Sequence, residues 1–132
     1  MTNHYHAVVW LDHREAHVFS FNAEDADKQV VRSHALQPHL HRKANSIGDG
    51  RAAPDPAYLD GIAEALQQAQ AILITGPAGA KTELKRHLEA HRPALAKKIV
   101  GVEAADHPTD GALLDHARRY FLAADRMRPQ RG

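Results

Sequence analysis

Apolar residues gather in short unbroken runs in the first third of the chain and recur at helical spacing through the rest. Ala7 to Asp12 (AVVWLD) is an apolar run of strand length. Ala16 to Phe21 (AHVFSF) is a second, in which Val18 and Phe19 are strong strand formers. The polar His13-Arg14-Glu15 between them suits a hairpin connection. Gln29 to His34 (QVVRSH) predicts a third strand, and Asn22 to Lys28 (NAEDADK) reads as the polar turn leading into it. The opening third is therefore expected to be an antiparallel meander.

From residue 35 to 56 periodicity is absent. Pro38, Pro54, Pro56, Gly48 and Gly50 break any regular element. A loop of this length is uncommon inside a compact domain and tends to be functional or mobile. Ordering it costs about 1–2 kcal/mol per residue, and only Leu40 and Ile47 offer apolar anchorage around its middle. Mobility over 39–51 is the expectation.

The pattern then changes period. Leu59, Ile62, Ala63 and Leu66 share one face of a helix expected over 57–70, with Asp55 placed to cap it and Pro56 in its first turn. Ala71 to Thr75 (AILIT) is a short continuous apolar run, as in buried parallel strands. Gly76-Pro77-Ala78-Gly79 is a tight turn. A helix follows over 81–91, with Leu84 and Leu88 inward and Pro93 marking its end. Lys98 to Glu103 (KIVGVE) predicts a fifth strand. His107-Pro108-Thr109-Asp110 forms a turn and cap before a last helix over 110–124, whose inward residues are Leu113, Leu114, Ala117, Tyr120 and Phe121. Residues 125–132 form a basic tail.

The order β-β-β-loop-α-β-α-β-α, with right-handed crossovers, places strands four and five beside strand one. The prediction is a single α/β domain with a ribonuclease H-like three-layer fold. Its mixed five-stranded sheet has the order 3-2-1-4-5, strand two runs antiparallel to the others, and helices pack on the sheet.

Composition narrows the chemistry. At 132 residues the chain can bury one core without a staple. Aromatics are only 5%, so that core is expected from Val, Ile, Leu and Ala. The absence of Cys excludes disulfides, thiolate catalysis and Cys-ligated zinc. Met1 to His6 is polar, without the apolar run of a signal peptide, and no stretch reaches the roughly 18 apolar residues of a membrane span. A cytoplasmic location is expected. A formal charge of +1 steers nothing by itself, but eleven His make the overall charge more sensitive to pH than usual.

Two segments carry a resemblance. AVVWLDHREAHVFSF resembles the opening of the central domain of archaeal and eukaryotic class-1 peptide release factors and Pelota, with an apolar strand, an acidic turn and a Glu-Ala pair entering the second strand. ILITGPAGAKTEL is similar to that family's apolar strand, glycine-proline turn, lysine and helix, here Gly76, Pro77, Gly79 and Lys81. The resemblance extends in topology over most of residues 7 to 122. It implies kinship with the bacterial single-domain relatives known as translational machinery proteins, a place in translation, and a ribosomal or structured-RNA partner. The family's release chemistry needs Gly-Gly-Gln in the loop after the early strands. The corresponding loop here, HLHRKANSIGDGR, has Gly48, Asp49 and Gly50 but no such triplet.

Candidate sites follow. TGPAGAKT looks like a phosphate-binding P-loop, but Thr75 and Ala80 stand where G-x-x-x-x-G-K-[ST] needs glycine. Nucleotide hydrolysis is therefore not expected. Gly76, Gly79 and Lys81 at a helix start could still hold one anion, such as an RNA phosphate; the plainer reading is a strand-to-helix turn. Arg42, Lys43 and Arg51 on the loop, with Arg118, Arg119, Arg126, Arg128 and Arg131 on the last helix and tail, could bind phosphates without reading sequence. The plainer reading is a solvated basic surface, and the family resemblance favours RNA.

For two-metal nuclease chemistry, Asp12, Asp60 or Glu64, Asp106 and Asp110 form only an incomplete set, since the fourth strand offers no acid. His87 and His91 share a helix face, but HLEAH lacks the metalloprotease glutamate. His107 stands at a strand edge of the kind that hosts ligands. No cofactor and no catalytic residue is predicted. The favoured expectation is a ribosome- or RNA-associated binding protein. The alternatives are a peptidyl-tRNA hydrolase or ribonuclease H-like nuclease, and a scaffold that dimerises.

Overall fold

The computed structural model describes residues 6–22, 24–33 and 55–127, with side chains described as far as 123. The elements in chain order are β1 (His6–Leu11), β2 (Glu15–Phe21), β3 (Ala26–Arg32), α1 (Pro56–Leu66), β4 (Ala71–Gly76), α2 (Ala80–His91), α3 (Pro93–Ala96), β5 (Ile99–Ala104) and α4 (Asp110–Met127). The strands form one sheet in the order β3-β2-β1-β4-β5. β1 pairs antiparallel with β2 and parallel with β4, β2 pairs antiparallel with β3, and β4 pairs parallel with β5. This is the mixed ribonuclease H-like sheet that the sequence predicts.

Strand alternation divides the core in two. Ala7, Val9 and Leu11 of β1, Ala16 and Val18 of β2, and Ile72 and Ile74 of β4 point to one face, where Tyr58, Leu59, Ile62 and Leu66 of α1 and Leu84 and Leu88 of α2 cover them. Val8, Trp10, Phe19, Phe21 and Leu73 point to the other, beneath Leu113, Ala117 and Phe121 of α4. The result is three layers, helix pair on sheet on helix. Burying each Leu or Ile contributes about 1.5–3 kcal/mol, so aliphatic side chains carry the first layer, as composition implies. The second is where the few aromatics collect.

The caps agree with the sequence. Asp55 accepts the Tyr58 backbone N–H at 3.3 Å to start α1, with Pro56 in the first turn. At α4 the cap is Thr109, whose Oγ1 accepts the Ala112 N–H at 3.1 Å, and Asp110 stands in the first turn. Several boundaries differ from expectation; α4 runs on to Met127, which takes Arg126 into the helix rather than the basic tail expected over 125–132. α1 ends at Leu66 rather than near residue 70, because Gln67 and Ala69 donate back to Glu64 and Leu66 in a closing turn. β3 begins at Ala26, so the turn before it is short; Asn22 Oδ1 accepts from the Glu24 and Asp25 amides at 2.9 and 2.7 Å, and ladder pairing resumes at once. Pro93 ends α2 but also opens the one-turn α3, where Leu95 is buried.

Candidate functional site

Parallel pairing of β1, β4 and β5 brings their carboxyl ends to one edge of the sheet, the usual place for ligands in α/β folds. Gly76 closes β4 there with φ +156, and a Cβ at that position would collide with the Leu11 carbonyl of β1. Glycine is needed for this close approach. The chain then turns through Pro77 and Ala78 into α2, whose N-cap Gly79 supplies no side-chain cap. The Thr82 and Glu83 amides both donate to the Gly79 carbonyl at 3.0 Å, so this helix start offers an anion at most the amides before them. Lys81 folds back over the turn, its Nζ donating to the Ala78 carbonyl at 2.5 Å. Gly76, Gly79 and Lys81 thus form one compact turn. A carboxylate stands close to it: Glu83 in the first turn of α2 pairs with His13 Nε2 at 3.2 Å, tying the β1–β2 hairpin to the helix start.

The hairpin is held by Asp12, whose Oδ1 accepts the Arg14 and Glu15 amides at 2.8 and 3.0 Å. Tyr58 donates its hydroxyl to the Asp12 carbonyl at 2.9 Å. Burial raises the Tyr58 pKa far above the phenolic range, and the nearby carboxylates of Asp12, Glu15 and Asp55 raise it further. Beside it, Ser33 donates its hydroxyl to Asp55 Oδ2 at 2.7 Å, while the Ser33 amide donates to the Arg14 carbonyl at 2.9 Å. Ser33 and Asp55 are the residues that flank 34–54. Whatever lies between them departs from and returns to this same edge.

Of the cations that the sequence singles out, Arg42, Lys43, Arg51 and Arg128 lie outside the described residues, as does the expectation of a mobile 39–51 loop. Arg126 lies in α4, with its side chain outside the described set. Arg118 is near the opposite edge, where its Nη2 donates to the Asn22 carbonyl at 3.2 Å and its guanidinium lies 5.8 Å from the Phe21 ring centre. Arg119 pairs with Asp115 at 3.0 Å and is otherwise exposed. The edge turn and the α4 arginines therefore sit at opposite ends of β1, whose six residues span about 20 Å at roughly 3.3 Å each.

The acids are dispersed. Asp12 is occupied by its turn, Glu64 pairs with Arg92 at 3.3 Å, and Asp110 pairs with Lys28 at 2.6 Å. The His87 and His91 rings lie with centres 4.6 Å apart and planes tilted by 45°, and His87 Nε2 lies 3.1 Å from Asp60 Oδ1. The hydrogen bond from His87 and the charge of Arg92 hold the exposed Asp60 carboxyl below its ordinary pKa. Among the described residues no three His, Asp or Glu are placed to hold a metal ion, and no helix is long and apolar enough to cross a membrane.

Sequence reasoning missed Ser33, Tyr58, Glu83 and His13 as parts of this edge. Their partners lie between 19 and 70 positions away, so no local pattern announces them. His107 lies against Trp10 with ring centres 4.1 Å apart and planes tilted by 45°, and Trp10 Nε1 donates to the Asp106 carbonyl at 2.6 Å.

The fold is shared with solved structures of translation factors. Thermoplasma acidophilum Pelota superposes with a TM-score of 0.61 at 20% identity, over 87% of this chain and 32% of that one. An archaeal translation termination factor, aRF1, gives 0.58 at 11% identity, over 93% and 39%. Saccharomyces cerevisiae Dom34, described as a translation termination-like factor involved in RNA quality control pathways and interacting with Hbs1, gives 0.56 at 11% identity, over 89% and 33%. The chain spans about a third of the length of these proteins. No protein-family model matches it, and no curated protein does.

Proposed function

We propose that this chain is a binding module of the translation apparatus, acting in the cytoplasm. It associates with the ribosome or another structured RNA through phosphate contacts rather than by release chemistry. The observation that carries this reading is the convergence at one sheet edge. The Gly76–Lys81 turn stands there, and the segment bearing Arg42, Lys43 and Arg51 leaves from Ser33 and returns at Asp55 beside it. A helix start and a lysine suit a single phosphate, and Arg42, Lys43 and Arg51, in the segment that joins Ser33 to Asp55, are the cations proposed to take further ones. The shared fold with Pelota, aRF1 and Dom34 supports translation as the setting. Kinship with bacterial single-domain translational machinery proteins belongs to the same proposal. The missing Gly-Gly-Gln triplet argues against peptidyl-tRNA hydrolysis by the release-factor route.

Co-sedimentation with purified ribosomes across a salt series tests the reading. Replacing Arg42, Lys43 and Arg51 with Ala is expected to flatten the salt dependence by roughly 0.9 per lost contact on duplex RNA, or about 0.7 on single strands. Lys81→Ala removes one more contact, and the pair Arg126→Ala and Arg128→Ala reports on the end of α4 and the residues after it. Arg118 and Arg119 are committed to Asn22 and Asp115, so their contribution to RNA binding requires those contacts to be released. Failure to bind ribosomes or RNA at about 50 mM salt, where phosphate contacts are strongest, overturns the proposal. A Mg²⁺-dependent cleavage lost in Asp12→Asn would replace it with a nuclease.

A further inference from the structure

The two edges of the sheet are built differently. β3, at one edge, carries Asp27, Lys28 and Arg32, charges of the kind that discourage strand pairing. β5, at the other, reads Ile-Val-Gly-Val-Glu-Ala from Ile99 to Ala104, with neither lysine nor proline. Its backbone directions can be assigned. The Ala105 amide donates to the Gly76 carbonyl of β4 at 3.0 Å, so alternation turns Val102 and Ala104 away from β4. The Val100 carbonyl, at the point where the β4–β5 register shifts, accepts from the Tyr120 hydroxyl of α4 at 3.2 Å. That hydroxyl closes one end of the free edge. Beyond it, no strand among the described residues lies on the side of β5 away from β4.

A groove of about 580 Å³ lies alongside, between the carboxyl end of β5 and the first turns of α4. Ala104, Ala105, Pro108 and Leu113 give it apolar walls, and Glu103 stands at its polar corner with His116 Nε2 on Oε1 at 2.8 Å. Glu103 Oε2 has no partner among the described residues, and its side chain keeps 37% exposure. The nearest acids in sequence, Asp106 and Asp110, make this corner unsuited to phosphate. It favours a cation on an aliphatic stem, because the stem covers the alanines and proline while the head reaches the carboxylate.

We propose that the free edge of β5 and the adjoining groove bind an extended peptide that carries a lysine or arginine opposite Glu103. The peptide adds a sixth strand, with its backbone pairing to Val102 and Ala104. Its basic side chain forms a cross-strand pair with Glu103 and lies in the groove. Tyr120 limits the new ladder to the carboxyl half of β5. This interface is separate from the proposed RNA edge and stands or falls without it.

Selection of displayed random heptapeptides on the full chain, followed by affinity measurement with the enriched synthetic peptides, tests the proposal. The expected peptides alternate β-branched residues around one Lys or Arg. Binding should protect the Val102 and Ala104 amides from hydrogen exchange. Glu103→Gln should weaken binding about two- to fivefold, the range for a partly exposed ion pair, and erase the preference for a basic residue. Ala112→Trp, at an exposed groove position on α4, should block the basic side chain and leave the fold intact. Ala104→Pro should abolish binding, because proline is tolerated at an outward edge position but donates no hydrogen bond. Enriched peptides without a basic residue, or equal binding by Glu103→Gln, would overturn the proposal. So would protection of Val102 and Ala104 that grows with protein concentration in the absence of peptide, which would assign the edge to a second copy of this chain.

Discussion

At the scale of single residues, Gly76 and Tyr58 set the geometry of the carboxyl edge. The Leu11 carbonyl occupies the space that a side chain at position 76 would need. Gly76→Ala should therefore destabilise the fold by about 2 kcal/mol or more, through strain at a position with positive φ. Urea unfolding measures this, with Gly111→Ala, where nothing lies within contact of an added Cβ, as the comparison. Tyr58 stays protonated in the folded protein because burial and then the charges of Asp12, Glu15 and Asp55 disfavour its phenolate. Unfolded, it would ionise near 10. A folded pKa above the unfolded one means that this contribution is complete below about pH 10 and is lost as pH rises further. The wild type should lose stability between pH 9 and 11 more steeply than Tyr58→Phe. At neutral pH the variant should be weaker by only about 1 kcal/mol, the usual worth of one hydrogen bond.

At the scale of elements, the strands and helices are legible from hydrophobic period alone, and the order of the sheet follows from right-handed crossovers. What resists reading depends on partners far along the chain. β3 takes in Ala26 to Lys28 because β2 offers Phe21, Ser20 and Phe19 as a ladder, which outweighs the turn-like composition. α3 exists because Leu95 finds the α1–α2 layer, and four residues are too few to show a period. The glycine-proline turn is visible in the sequence as a motif, whereas the clustering of Ser33, Asp55, Tyr58 and Asp12 around its edge is not. α4 tests the layer argument: it holds its face of the sheet through Leu113, Ala117 and Phe121, while Leu122 is 56% exposed. Phe121→Ala should cost about 3–5 kcal/mol, whereas Leu122→Ala should stay within about 0.5 kcal/mol. Denaturant titration of both variants checks the contrast.

At the scale of the whole molecule, a formal charge of +1 stands beside eleven histidines, the residue type on which pH acts most readily in the physiological range. The protein should grow more cationic between pH 8 and pH 6. Ribosome co-sedimentation at fixed salt should tighten over that interval, with ribosomes alone as the control for their own stability. Invariance would mean that a few fixed arginines and lysines dominate. The hydrogen bond from Ser33 to Asp55 has a further consequence, for how such a protein can change over time. It closes the base of the intervening residues with groups that belong to β3 and α1. Once the ends of a chain segment are fixed, doubling its length costs only about 0.6 kcal/mol in closure entropy. On closure entropy alone, a longer or shorter segment between positions 34 and 54 then costs the sheet little. Lineages carrying this framework could acquire new tips, and with them new recognition, without having to reinvent a folded protein.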